Sequence, residues 1–222
     1  MSIKTACVTF AAVLAFAGTA GAWGLPIDIP SMGSSSADPD AFLVKAQNSE
    51  ALINNSSDLL FKAIASKEEQ TKMEEMQKKL NETTDDKEKD ALRQQITESE
   101  LATLEKRAKS KEVQNEAKRW DAKKKAQISN AFFNFSLGAM QAALLVPEGT
   151  NIASSIASNP LNAARLAFKL NSVYASIKSI GGILGNTTKV IGAMKPLMTA
   201  ANIQVKTPAT ATEKPVDASG AI

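Results

Sequence analysis

The chain has 222 residues, with 26 Lys and Arg against 23 Asp and Glu, one Cys and no His. Without histidine, a Ser-His-Asp or Cys-His nucleophile system has no base and a His-containing metal site has no ligand. The length suits one sizeable domain once any targeting segment is set aside.

Residues 1–22 read as an export signal. Lys4 is the early cation, an apolar run follows from Ala6 to Ala17, and Ala20 and Ala22 form an A-x-A site with cleavage expected before Trp23. The run is too short to span a bilayer. Cys7 lies inside it, so the mature chain is expected to hold no cysteine, no disulfide and no Cys/His metal site. The expected location is periplasmic or extracellular, or peripheral to a membrane.

Residues 23–39 read as an extended lead-in, with Pro26 and Pro30 among apolar residues and a Gly/Ser stretch behind them. Asp38-Pro39 is an N-cap followed by Pro at the first helical position. The first helix is expected to run to about Leu80, carrying Ala46, Ile53, Leu60, Ile64, Met73 and Met76 at helical spacing, with a weak patch at Asn54–Ser57.

From Ser66 to Asp121 the chain is densely charged and holds no Gly and no Pro. A turn at Asn81–Thr84, then Asp85 with Glu88 three residues on, starts a second helix. Leu92, Ile96, Leu101, Leu104, Ala108, Val113 and Trp120 mark its apolar face. Folding back about the turn pairs Met76 with Leu92, Met73 with Ile96, Ile64 with Leu104 and Leu60 with Ala108, each pair of numbers summing to about 168. The expectation is a long antiparallel arm over residues 40–130. Its mixed charges form a solvated face that could grip a partner.

Residues 131–205 read as an apolar, cationic helical bundle. Phe133, Leu137, Met140 and Leu144 form one seam, widened by Phe132 and Phe135 and interrupted by Asn130, Asn134, Ser136 and Gln141. A turn is expected at Pro147–Thr150, a helix start at Asn159-Pro160, and a heptad through Leu166, Leu170, Val173, Ile177, Ile180 and Leu184. Gly185-Asn186 reads as a helix end, and Thr187–Val205 as a last apolar helix with a kink or stop near Pro196. Residues 206–222 read as a disordered tail.

Between Ala122 and Thr212 the only acid is Glu148, against nine bases. Lys123, Lys124, Lys125, Lys178, Lys189 and Lys195 are therefore the candidate contacts for a partner or for anionic lipid. No serine has a lysine three residues on, and no Gly-rich phosphate loop or aromatic platform suits a nucleotide or nucleic acid. Neither a catalytic residue, a cofactor nor a small-molecule substrate is expected.

The sequence thus reads as an all-α protein, a long helical hairpin extending from a compact bundle. It suggests an exported, non-enzymatic protein that works through protein–protein contacts, with a partner protein or a second copy. The alternative is a membrane-active protein that uses its cationic apolar half. The plan resembles periplasmic helical-arm chaperones, α-helical pore-forming toxins and minor pilus subunits of type IV secretion. The resemblance is one of architecture, and it assigns no site residue.

Overall fold

The computed structural model describes residues 38–158 and 160–218, and side chains outside 159–165. The export signal and lead-in fall outside the described residues. Six helices are described and no strand: α1 (Pro39–Ile64), α2 (Lys67–Glu82), α3 (Asp86–Lys109), α4 (Lys111–Ala117), α5 (Ala122–Ala157) and α6 (Pro160–Ala200).

Local chemistry sets most of these boundaries. Asp38 accepts from the Asp40 N–H at 2.9 Å, with Pro39 at the first helical position. Asp85 caps α3 through the Glu88 N–H at 2.9 Å, and Asp121 caps α5 through the Lys124 N–H at 2.7 Å. The first helix, expected to reach Leu80, stops at Ile64 instead. Ala65 is extended, and Ser66 opens α2 with a full capping box: its hydroxyl accepts from the Glu69 N–H, and the Glu69 carboxylate accepts from the Ser66 N–H. The carbonyls freed at the end of α1 are taken up by Gln70 Nε2, which reaches Lys62 and Ala65, and by Arg107 Nε, 3.0 Å from the Ile64 oxygen.

Cross-helix contacts give the directions. Lys45 meets Glu148 at 2.9 Å and the Ser49 hydroxyl donates to the Gly138 carbonyl at 2.9 Å, so α1 and α5 run antiparallel. The two helices approach closely where α5 has no side chain. A Cβ on Gly138 would lie 2.8 Å from Ile53 Cγ1, and one on Gly149 would lie 2.6 Å from Phe42 Cζ. Lys169 pairs with Asp40 and Ser179 with Glu50, so α6 runs parallel to α1. Ser57 bonds Glu100 and Ile64 bonds Arg107, so α3 also runs parallel to α1. The register summing to 168 is therefore not the one that α1 and α3 use. Helix α2 supplies the return: Lys79 faces Glu88 near the turn, and Glu69 faces Arg107 at the other end. These contacts do not describe an arm standing clear of the bundle.

One core joins the elements, with Leu60 from α1, Leu104 from α3, Val113 from α4, Phe132 and Leu145 from α5, and Val190 and Met194 from α6. Helix α5 is enclosed over nearly its whole circumference between Ala131 and Ala142. The expected face is borne out in part: Leu137, Phe132 and Phe135 are fully buried and Phe133 and Met140 half-buried, whereas Leu144 is 52% exposed and Leu145 beside it is buried instead. The α6 heptad does face the core, with Val173 and Ile180 buried and Leu166, Leu170, Ile177 and Leu184 packed against it.

Three expected breaks are absent. Pro147 lies inside α5, where packing on both sides of the ring position (Leu145 in the core, Glu148 on Lys45, Gly149 under Phe42) outweighs the lost backbone hydrogen bond. Helix α6 continues through Gly185-Asn186 and Pro196. It ends at Ala200, where Asn202 takes a left-handed φ of 54° and the Ile203 N–H returns to the Met198 oxygen at 2.8 Å. The tail, expected to be disordered, is held against α5 as far as Ala218.

Candidate interaction surfaces

The six lysines singled out by the charge imbalance do not gather into one site. Lys123, Lys124 and Lys125 open α5. Lys124 is engaged internally, its ammonium 4.8 Å from the centre of the Trp120 ring and 3.8 Å from Glu116. Lys178 and Lys189 are exposed on one face of α6, eleven residues apart, while Lys195 sits about a third of a turn off that face. Between them, a Cβ added at Gly181, Gly182 or Gly185 would meet nothing within 4 Å, so this face is bare. No helix among the described residues is long and apolar enough to cross a membrane. The lone acid of this half, Glu148, is spent on Lys45, whose side chain is only 5% exposed.

The second surface is α2. None of its residues is buried. Met73, Met76 and Leu80 are half-buried, and α2 packs chiefly on α3. Arg107 fastens its base: besides the Ile64 carbonyl it lies 3.6 Å from Glu69 and 3.7 Å from Glu112, so one guanidinium ties together α1, α2, α3 and α4. The outward face is a mixture of Lys and Glu, and its ends are satisfied by the capping box and by Thr83, whose hydroxyl donates to the Lys79 carbonyl at 2.8 Å.

The third surface is a row of amides on α5 that holds the tail. Asn134 bonds both main-chain groups of Val216: its Nδ2 donates to the carbonyl at 2.7 Å and its Oδ1 accepts the N–H at 2.8 Å. Asn130 Nδ2 donates to the Asp217 carbonyl at 2.7 Å, and Gln141 Nε2 to the Ala211 carbonyl at 3.0 Å. On an α-helix positions 130, 134 and 141 fall within about 40° of arc. In the sequence these residues stand out only as interruptions of an apolar run. The signal that could have found the site is their common face.

Two acids are buried where the helices meet. Burial pushes the Glu100 carboxyl up to about 8; Asp58 adds to the rise, while the Ser57 hydroxyl and Lys62 oppose it. Burial likewise raises Glu50, opposed by the Ser179 hydroxyl. Both sit at helix–helix seams.

Comparison with protein-family models, with curated proteins and with solved structures finds no match to this chain.

Proposed function

We propose that this chain is an exported, non-enzymatic helical protein that acts through protein–protein contacts, with the hairpin of α2 and α3 as its contact element and the bundle as its anchor. The observation that carries this reading is that α2 is a 16-residue helix without a buried residue. A helix so short and so polar has little stability of its own. Here it is closed by a capping box and fastened by Arg107, so that a charged face is held in a fixed orientation. Burial in the core does not account for such a helix, and presenting its surface to another molecule does. Export rests on the pattern of residues 1–22.

The test is a photo-activated cross-linker placed singly at Glu75, on the outward side of α2, and at Gly181, on the bare face of α6. The reading predicts a discrete protein adduct in cells from position 75 and none from position 181. Adducts from position 181 alone would move the contact to α6, and the absence of any adduct from position 75 would refute the role of α2.

A further inference from the structure

We infer that the amide row on α5 is a binding site for the main chain of an extended, small-residue peptide, and that the protein's own C-terminal segment occupies it in cis.

The contacts are to backbone, not to side chains. One side-chain amide can bond both the N–H and the C=O of a single residue only where those groups point the same way, as they do in an extended chain. Asn134 does this with Val216, and Pro215 before it removes a competing donor and restricts Lys214 to an extended conformation. The rungs at Asn130 and Gln141 fix the segment on either side. Side chains of the tail add a few small apolar contacts: Pro208, Ala211 and Ala218 are buried, while Val216 stays 38% exposed. Such a site selects for extended backbone and for small residues at two positions, and tolerates variety elsewhere. It is also not fully used. Gln127 lies one turn before Asn130, and its Nε2 is buried without a hydrogen-bond partner among the described residues.

The tail's hold is one that a partner can displace. It rests on three side-chain amides of α5 and on the small side chains of Pro208, Ala211 and Ala218. What favours the tail over a free peptide is its attachment to α6, which gives it an effective concentration in the millimolar range. Exchange with a second copy's tail would remake the same contacts and lose the tether, so the occupant that replaces it is a partner's extended peptide, rich in Ala, Thr and Pro like the tail itself, that also meets the unpartnered Gln127 amide. The role of α2 is independent of this site, which is built by α5 and the tail.

The experiment uses the full chain and a fluorescent peptide with the sequence of residues 209–218. Val216→Pro removes the N–H that Asn134 accepts and loosens the tail in cis. The peptide is expected to bind the Val216→Pro chain at least tenfold more tightly than the unaltered chain. Adding Asn130→Ala or Asn134→Ala to Val216→Pro should return binding to the unaltered level. Asn130 is the milder substitution, and circular dichroism of each variant verifies the fold. Equal binding to the unaltered and Val216→Pro chains, or binding indifferent to both asparagines, would overturn the inference.

Discussion

Glu100 shows what a single residue costs this fold. Its carboxyl is buried between α3 and α1, and burial raises its pKa from 4.5 to about 8. A folded-state pKa above the unfolded value means that the native chain holds the proton more tightly. The contribution to stability is therefore complete below pH 4.5 and is lost as pH rises through about 8. The loss is on the order of 4 kcal/mol by pH 8, since each tenfold change in a proton-binding constant corresponds to about 1.4 kcal/mol. Glu100→Gln keeps the shape and removes the charge. It should leave the melting temperature at pH 4.5 nearly unchanged, raise it by several degrees at pH 8, and flatten its pH dependence. A thermal melt series over that range checks this, and an unchanged slope would mean that Glu100 is hydrated in solution. The position of Glu100 is legible, four residues from both Ile96 and Leu104 on the apolar face, but the density of charge around it makes a carboxylate there read as part of the solvated surface. The caps at Asp38 and Asp85 are legible because a cap is a local pattern. The box at Ser66 and Glu69 is equally local, but apolar spacing that continues in phase from Ile64 to Met73 and Met76 hides it.

Among the helices, the decisive event is that reversal at Ala65. It turns one expected helix into two and lets α3 lie parallel to α1. The register summing to about 168 survives only near the turn between α2 and α3, where Lys79 faces Glu88 at a sum of 167; its extension to α1 fails because a continuing period does not report a reversal of the chain. The two arrangements are separable by chemistry. In a Cys7→Ser background, Ser57→Cys and Glu100→Cys should be joined rapidly by a short thiol-to-thiol linker. In the register summing to 168, Ser57 would face position 111, ~16 Å along the axis from Glu100, and no such product would form. Helices α5 and α6 show the converse. Their Pro and Gly signals describe local preference, and enclosure by neighbours overrides it. Where a helix keeps one solvated side, as α6 does, the heptad identifies the core face correctly. Where a helix is covered all round, as α5 is, no seam in the sequence can single out a face.

For the whole molecule, composition correctly indicates an all-helical chain, and pattern correctly locates most of its core. Neither reveals that α3 joins that core beside α1, α5 and α6, nor that the tail closes over α5. Both depend on contacts between residues far apart in the chain, which no local signal reports. The bundle keeps α2 on its outside, where we place the partner, and screens the α5 amides with its own tail. Hydrogen exchange along the full chain is the sharpest test of this arrangement. Amides of α2 are expected to exchange at least a hundredfold faster than those of α5, and the Val216 amide more slowly than those of the connector at 204–207. Protection of α2 equal to that of α5 in the isolated protein would contradict the arrangement, because α2 would then be a buried part of the fold and could not be the surface offered to a partner.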